Sequence, residues 1–190
     1  ITRLGFSIQG LDAADTPISA SNFTDETGHE QLLSSEINAR IAASGYFLRH
    51  ISTSELSDTT QILDKPKLEP LVKSGTQGPS GGLIFTLEYL HLSTKKPLST
   101  IPIAGTGTID SSGNVGPIGK AEEKISGVPE NIKYFFIPVD NLRLPKDAAA
   151  IKQTAADKGI TLIPVNTLDE AVQWLCQHAN DGTNPLCSVI

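Results

Sequence analysis

The last third of the chain constrains the fold most, because two apolar runs alternate there with two predicted helices. Residues 134–139 (YFFIPV) are an uninterrupted apolar run, which is typical of a strand covered on both faces. Residues 145–158 are alanine-rich and stop at Gly159, a typical helix end, and residues 160–165 form the next apolar run. Residues 167–170 (TLDE) have the spacing of a capping box and open a last helix. This order predicts a parallel βαβα unit.

The first half of the chain predicts strands and helices that surround this unit. Residues 1–9 alternate like a strand, and residues 101–109 read as another strand that ends in a polar turn at 110–114. Residues 52–79 predict an exposed loop or weak strand, and a helix begins at Gly82 and ends near the proline at 97. The whole is predicted to be one α+β domain over residues 1–190.

A long amphipathic helix is predicted from about residue 24 to about residue 50. Its apolar face is predicted from helical spacing to contain Leu32, Leu33, Ile37, Ile41 and Ala42.

The composition of the chain indicates which partners are unlikely to bind it and how the chain originates. The net charge is −6 with no block of basic residues, which argues against nucleic acid or an anionic membrane as the main partner. No apolar run is long enough to span a bilayer, and no signal peptide is recognisable. The chain lacks methionine, so we expect a processed product or a piece of a longer chain, and a missing leader does not argue for the cytoplasm.

Cys176 and Cys187 lie close together near the C-terminus, separated by a polar loop. They either form a disulfide that staples the tail, which implies an oxidising compartment, or are two unrelated thiols. The disulfide is the favoured of the two.

The segment 78–82 (GPSGG) places Ser80 between small residues just before an apolar helix. A serine hydroxyl becomes a nucleophile when a base removes its proton. Free N–H groups at a helix start suit an oxyanion, so the backbone of Gly78, Pro79 and Gly81 is the predicted oxyanion region. The alternative is a loop that ends in an N-cap serine.

The segment 116–124 (GPIGKAEEK) supplies lysines on a short predicted helix after a Gly-Pro turn. A lysine base must be neutral near pH 7, so burial or nearby cations must lower its pKa by about 3 units. Lys120 and Lys124 are four residues apart and are predicted to share a face. The alternative is two solvated surface lysines.

The sequence has no metal-binding or nucleotide-binding pattern that would compete with the serine and lysine segments as the functional site. The histidines at 29, 50, 91 and 178 lack metal-ligand spacing, and the glycines at 105–113 lack the pattern of a nucleotide loop.

Several of these segments together resemble Lon-type proteases. The resemblance rests on GPSGG followed by LIFTLE, on AGTGTI at 104–109, and on VGPIG at 115–119 followed by Lys124. In that family the catalytic lysine lies seven residues after the proline of Pro-Ile-Gly, as Lys124 follows Pro117. The segments GTGTID…GNVGPIG and FFIPV…IPVNTLDEA are especially similar in sequence to the corresponding segments of bacterial membrane-anchored Lon-like proteins that carry a PDZ domain. The likeness runs from about residue 78 to residue 174.

The resemblance implies the proteolytic-domain fold of that family, which is like domain 2 of ribosomal protein S5. It implies a Ser80–Lys124 dyad, with Thr106 near the lysine, that hydrolyses peptide bonds through an acyl-enzyme without metal, nucleotide or other cofactor. Implied partners are a protein or peptide substrate, other copies in a ring, and a PDZ or membrane-anchor segment. The extracytoplasmic face of the membrane is favoured over the cytoplasm.

Two departures from the family pattern bear on the site. Lys120 stands where the family usually has a second glycine, and Thr76-Gln77 stand where many energy-dependent members have an acidic residue. A catalytically inactive module of the same fold, used for binding or assembly, is the alternative function. A nucleotide- or DNA-binding domain conflicts with the acidic charge.

Overall fold

A parallel four-stranded sheet is the frame of the structure. The computed structural model describes residues 6–7, 25–50, 78–94, 96–180 and 182–187, with side chains from residue 30 onward. The strands are β1 (Phe6–Ser7), β2 (Ile103–Gly105), β5 (Tyr134–Pro138) and β6 (Thr161–Val165), in the order β1-β2-β5-β6. All three pairings are parallel. Strands β3 (Thr108–Ile109) and β4 (Val115–Gly116) form a separate antiparallel pair.

Five α-helices in the described residues cover the sheet. They are α1 (Asp25–His50), α2 (Gly82–Leu92), α3 (Ala121–Ser126), α4 (Pro145–Asp157) and α5 (Leu168–His178). The predicted parallel βαβα unit is confirmed as β5, α4, β6 and α5. The protein is therefore a mixed α/β structure built on a parallel sheet. Of the predicted strand at residues 1–9, only β1 lies within the described residues, and the predicted loop at 52–79 lies almost wholly outside them.

Two buried clusters occupy the two faces of the sheet. One joins α1, α2 and α5 to sheet residues such as Ile103 and Phe136. The other joins α3 and α4 to alternate sheet residues such as Ala104 and Phe135. Because neighbouring residues of a strand point to opposite faces, α2 and α3 lie on opposite sides of the sheet.

Local chemistry explains the ends of the C-terminal helices. The Thr167 hydroxyl accepts a hydrogen bond from the Glu170 amide at 3.2 Å, as a capping residue does. The Glu170 carboxylate accepts from the Asn166 amide at 2.6 Å, one residue earlier than in the usual capping box. After α4, Gly159 has φ +63°, which confirms the predicted glycine stop.

Helix α2 is the most deeply buried helix in the described part of the chain. Every residue from Gly82 to His91 is buried. Leu83, Leu87 and Leu90 are buried as predicted, but the other faces of the helix are buried too. A helix that is apolar all round must be covered on all sides, and here α1, α5, β2 and β3 pack against it.

The bounds predicted for α1 agree with the structure, and Leu32 and Ala42 of the predicted apolar face are buried, but the other three residues of that face are not. Leu33, Ile37 and Ile41 are exposed, although they are the most apolar residues at helical spacing. The buried side is formed by Leu32, Ser35, Ala39, Ala42, Ala43, Tyr46 and Phe47. Small alanines allow α1 to approach α2, which already presents large side chains, so side-chain size decides the buried face here.

The single strand predicted at residues 101–109 is also wrong, because the chain leaves the sheet at Gly107. The Gly107 amide donates to the Ser80 carbonyl at 2.8 Å, and its carbonyl accepts from the Leu83 amide at 3.0 Å. These two bonds to the start of α2 replace bonds within a sheet. The result is two short strands, β2 and β3, in different sheets.

Cys176 in α5 and Cys187 in the 3₁₀ turn Pro185–Cys187 form a disulfide, with Cα atoms 5.2 Å apart. The favoured alternative for these cysteines is confirmed. Closing a loop of this length stabilises a chain by about 3 kcal/mol in the chain-entropy description. Among the described residues, no helix has the length and apolar character needed to cross a membrane.

Candidate active site

Hydrogen bonds from beyond the end of β2 hold the backbone of Ser80 in place. The Ser80 carbonyl accepts from the Gly107 amide at 2.8 Å and from the Thr106 hydroxyl at 3.0 Å. Helix α2 begins two residues later, and its N-cap is Gly81. The alternative of an N-cap serine is therefore wrong, and the half-buried Ser80 hydroxyl is not used to cap the helix.

Pro79 is anchored through its carbonyl oxygen. This oxygen accepts from the Ser35 hydroxyl of α1 at 3.0 Å and from the Gly82 amide at 3.2 Å. Proline has no N–H, so Pro79 cannot itself donate to an oxyanion. Its part in the site is to fix the turn that carries Ser80. Sequence reasoning missed Ser35, because one serine in an amphipathic helix carries no signal of a distant partner.

The first amides of α2 are mostly occupied. Gly82 donates to Pro79, and Leu83 donates to the Gly107 carbonyl. The Gly81 amide has no hydrogen-bond acceptor among the described residues. Gly78, with φ +83°, turns the chain into this segment. An oxyanion role for the Gly78 and Gly81 backbone stays a prediction.

Thr106 joins the serine segment to the sheet. Its side chain is buried, its amide donates to the Phe136 carbonyl at 3.0 Å, and its hydroxyl donates to the Ser80 carbonyl. The predicted contact with the lysine is not among its hydrogen bonds in the described residues. The structure thus gives Thr106 a positioning contact with Ser80, and its role beside Lys124 stays a prediction.

Lys124 lies on the six-residue helix α3, and its amine Nζ donates to the Gly119 carbonyl at 3.1 Å. Lys120 is the N-cap of this helix and does not lie within it. Its backbone is left-handed, with φ +55° and ψ +44°, and it is the one non-glycine residue with positive φ in the described part of the chain. Glycine adopts this conformation without steric strain, whereas a residue with a side chain rarely does.

Burial lowers the pKa of the Lys124 amine from its ordinary value of 10.5. Glu123 raises this pKa, and Lys120 lowers it further. The charge of Lys120 therefore acts in the direction that favours the neutral amine. A neutral amine is the form that accepts a proton from a hydroxyl.

Asn141 holds the turn in front of α3. It lies in the 3₁₀ turn Val139–Leu142 that directly follows β5. Its side chain accepts from the Ile118 amide at 3.0 Å and donates to the Ile118 carbonyl at 2.7 Å. Sequence reasoning missed Asn141, although a polar amide directly after a buried parallel strand marks the edge where ligands bind in such sheets.

The serine segment and the lysine segment reach the same edge of the sheet. Ser80 is bonded to residues that directly follow β2, and the turn before α3 is bonded to the residue Asn141 after β5. Strands β2 and β5 are parallel neighbours, so their carboxyl ends are adjacent. No hydrogen bond joins Ser80 to Lys124 among the described residues, since the Lys124 amine is bonded to Gly119.

A cleft of about 420 Å³ opens beside α3. It is lined by Ile118, Lys120, Ala121, Glu122, Glu123, Asp140, Asn141, Leu144, Asp147 and Ile151. Lys124 does not line it, so this cleft borders the candidate site without containing its amine. No group of histidine, cysteine or carboxylate side chains in the described residues is arranged to hold a metal ion.

Comparison with known proteins finds similarity to Lon proteases over about half of the chain. The Lon protease of Trichlorobacter lovleyi is 34% identical over 97 residues, which are 50% of this chain and 11% of that protein. The Lon protease of Koribacter versatilis is 33% identical over 97 residues, again 50% of this chain and 11% of the relative. The Lon protease of Rickettsia conorii is 33% identical over 108 residues, 56% of this chain and 13% of the relative. No protein-family model matches the chain.

Proposed function

We propose that this protein is a serine endopeptidase in which Ser80 is the nucleophile and Lys124 is its general base. The observation that carries the proposal is that the two segments are each bonded to residues just beyond the carboxyl ends of the neighbouring strands β2 and β5. Ligands of parallel sheets bind at such an edge. The similarity of half the chain to Lon proteases supports the same reaction class.

The chemistry follows from the properties of the two groups. The neutral Lys124 amine takes the proton of the Ser80 hydroxyl, and the oxygen attacks the carbonyl carbon of the scissile peptide bond. The Gly81 amide, which has no acceptor among the described residues, is available to the oxyanion that forms. The protonated lysine then gives its proton to the leaving amine. Water hydrolyses the remaining ester, with the lysine again as the base.

The pKa of Lys124 supports its role as a base. Burial lowers this pKa, and Lys120 adds to the effect, so the amine reaches its neutral form at a lower pH than a free lysine. The Ser80–Lys124 hydrogen bond is expected to form when substrate enters, because catalytic hydrogen bonds often tighten only in the complex. For this to happen, the Lys124 amine must exchange the Gly119 carbonyl for the Ser80 hydroxyl.

We further propose the finer features that the resemblance implies. These are the fold of the Lon proteolytic domain, like domain 2 of ribosomal protein S5, and hydrolysis without an ATPase in this chain. The subtype is that of the membrane-anchored Lon-like proteins with a PDZ domain, with assembly into a ring. The substrate is a protein or a peptide. The chain spans only 11% to 13% of the length of the Lon proteases compared above, so none of these features is carried by that comparison.

A catalytically inactive module of the same fold is the second candidate. The observation that favours it is the bond from Lys124 to Gly119, which leaves Ser80 without its base in this arrangement. In such a module the two residues would keep their places and have no reactivity.

Reaction with a fluorophosphonate or a peptide boronate tests the proposal without knowledge of the substrate. The intact mass of the protein is measured after exposure, alongside Ser80→Ala and Lys124→Ala. We expect one adduct on the parent and none on Ser80→Ala, and labelling of Lys124→Ala slowed by on the order of 10³-fold or more. Lys120→Ala is the matched control, and it should keep much of the labelling.

An adduct that persists in Ser80→Ala would end the proposal of this nucleophile. Loss of labelling in Lys120→Ala, with retention in Lys124→Ala, would assign the base to the other lysine. No adduct on the parent at any pH between 6 and 10 would favour the inactive module.

A further inference from the structure

The cleft beside α3 has no role in the proposed reaction. Its volume of about 420 Å³ lies in the range of cavities that hold small ligands. It opens just beyond the carboxyl end of β5, because Asp140 and Asn141 of the turn that follows this strand line it. Ile118, whose backbone is bonded to Asn141, lines it too. A ligand in the cleft would therefore lie beside the lysine segment, at the edge where parallel sheets bind ligands.

The inner wall of the cleft is apolar. Ala121 of α3 and Ile151 of α4 are 7% and 3% exposed and belong to the buried cluster on this face of the sheet. Ile118 packs against the same cluster, and Leu144, which precedes α4, is 65% exposed. Covering Ile118 and Leu144 would remove apolar surface from water, which favours a ligand with an apolar part.

The rim of the cleft is acidic. Four carboxylate residues and one lysine line it, namely Glu122, Glu123, Asp140, Asp147 and Lys120. Asp140 pairs with Arg143 at 2.6 Å, whereas the other three carboxylates form no ion pair within the described part of the chain. Each of the four lies in the first turn of its helix, where the helix dipole favours a negative charge, so the charges by themselves indicate no ligand. They come from three separate elements, however, and all border one apolar wall.

An apolar wall and an acidic rim together select one kind of side chain. A wholly apolar side chain would leave the carboxylates without a counter-charge, and a small cation would leave the wall uncovered. Lysine and arginine have an apolar stem and a cationic tip. Their stem can lie against Ile118 and Leu144 while the tip stays near the carboxylates and water. An acidic side chain is disfavoured, because like charges repel.

We propose that this cleft binds a lysine or arginine side chain of the peptide substrate, so that the enzyme favours substrates with a basic residue near the scissile bond. The inference rests on the proposed peptidase function. Ser80 is bonded to residues just beyond β2, and the cleft is lined by residues just beyond β5, its parallel neighbour, so one extended peptide can contact both. Lys120 also lines the cleft, and its amine competes with the basic side chain for the carboxylates.

Binding is measured first on Ser80→Ala, which lacks the proposed nucleophile. The probes are a five-residue alanine peptide with a central lysine, blocked at both ends, and the same peptide with Nε-acetyl-lysine, which keeps the stem and loses the charge. NMR titration of the backbone amides up to about 5 mM covers dissociation constants near 1 mM. We expect the lysine peptide to shift amides within residues 118–123 and 140–147. It should bind at least about threefold more tightly than the acetylated peptide.

Substitutions added to Ser80→Ala test the charges of the rim. Asp147→Asn should weaken binding of the lysine peptide about two- to fivefold, the range for one exposed charge pair, and leave the acetylated peptide unchanged. Lys120→Gln should strengthen binding of the lysine peptide, because it removes the competing cation. Glu130→Gln is the matched control, since Glu130 is exposed and does not line the cleft. It removes the same charge from the protein and should leave the binding of both peptides unchanged.

Cleavage then tests the place of the cleft in the substrate site. Fluorogenic peptides carry one lysine at successive positions of a neutral sequence, and each has an Nε-acetyl-lysine counterpart. We expect the protein with Ser80 intact to give a higher kcat/KM for lysine at one position. Asp147→Asn should reduce this preference about two- to fivefold, and about 1 M salt should reduce it as well.

The two proposals fail in different ways. Equal binding of the two peptides, or shifts confined to residues outside the cleft, would overturn the site for a basic side chain even if Ser80 reacts with the fluorophosphonate. Cleavage without a preference for lysine at any position would overturn its role in substrate selection. A protein that binds the lysine peptide in the cleft and forms no fluorophosphonate adduct would overturn the peptidase and with it the substrate role. Only the preference of the cleft for a basic side chain would then stand.

Discussion

The two halves of the candidate site are held in different ways. The serine segment enters α2, whose residues from Gly82 to His91 are all buried, and both α1 and the segment after β2 donate hydrogen bonds to its backbone. The lysine segment enters α3, a six-residue helix in which only Ala121 and Ile125 are buried. One half is built into the interior, and the other lies against its surface.

This difference predicts two kinds of response to mutation. Changes on the serine side alter packing, so they should appear in the free energy of unfolding. Changes on the lysine side alter the charges around a half-buried amine, so they should appear in the pH dependence of the reaction. The fold sets the position of Ser80, and neighbouring charges adjust the pKa of Lys124.

The largest expected effect comes from the acidic residue buried in α2. Glu88 is 3% exposed, its oxygen Oε2 has no hydrogen-bond partner among the described residues, and burial raises its pKa from 4.5 to about 7. A raised pKa in the folded state means that the folded protein holds this proton when the unfolded chain has lost it. The stabilisation is complete below pH 4.5 and is lost as the pH rises to about 7.

We expect Glu88→Gln to equal the parent in stability near pH 4.5 and to exceed it by up to about 3 kcal/mol above pH 7. Glutamine stays neutral, so it escapes the cost of a buried charge. Urea unfolding of both proteins between pH 4.5 and pH 8 measures the difference. Glu122→Gln, at an exposed position of α3, is the control and should leave the pH dependence unchanged. A difference for Glu88→Gln that is constant with pH would contradict the burial of this charge.

Two glycines, Gly82 beside the serine segment and Gly119 in the lysine segment, allow the packing of the two segments to be compared directly. A Cβ at Gly82 would lie 2.9 Å from the Ile109 amide nitrogen and 3.0 Å from the Ser35 hydroxyl. A Cβ at Gly119 would meet nothing within 4 Å. We expect Gly82→Ala to lower the free energy of unfolding by about 2 kcal/mol, because backbone must move, and Gly119→Ala to change it little. Thermal unfolding of the two variants at one pH compares them, and equal losses would mean that the serine side is no tighter than the lysine side.

Much of the fold could be predicted because local patterns determine it. The βαβα unit follows from apolar runs, a glycine stop and a capping threonine, and each of these signals lies within a few residues. The bounds of α1 follow from similar signals. The buried face of α1 could not be predicted, because it depends on the size of side chains in a distant helix, and periodicity measures only how apolar each residue is.

The residues of the candidate site likewise fall into those marked by local motifs and those that depend on distant contacts. Ser80 and Lys124 stand in recognisable motifs, so the sequence predicts them. The residues that hold their segments, Ser35 and Asn141, bond to partners 44 and 23 positions away, and no local pattern announces such contacts. The break at Gly107 has the same cause, since its backbone bonds to the start of α2 and not to the neighbouring strand.

The strained backbone of Lys120 gives a smaller effect of opposite sign. Its left-handed conformation disfavours a side chain by about 1–2 kcal/mol, while glycine loses more chain entropy on folding. We expect Lys120→Gly to raise the free energy of unfolding by about 0.5–1 kcal/mol. Glu122 is an exposed residue within α3, where glycine is unfavourable. Glu122→Gly should therefore lower the free energy of unfolding by a similar amount. Two losses of equal size would mean that the conformation at Lys120 carries no strain.

The smallest effect is a shift of the pH profile, and it tests the lysine side alone. Labelling of Ser80 should rise with pH as Lys124 loses its proton, if this amine is the base. After burial, which lowers the pKa of Lys124, the opposing influences are Glu123, which raises it, and Lys120, which lowers it. Glu123→Gln should therefore move the rising limb to lower pH, and Lys120→Gln should move it to higher pH.

Each shift is expected to be small, since charge pairs at this spacing on a helix interact by a few tenths of a kcal/mol. The rate of fluorophosphonate labelling measured at closely spaced pH values resolves such shifts, and about 1 M salt should reduce both. Gln153→Glu, on the exposed side of α4, controls for a general effect of net charge. Opposite shifts that shrink together in salt would identify Lys124 as the titrating group. Shifts of the same sign would assign the rising limb to a different group, and the exposed half of the site would then lack the base that its position favours.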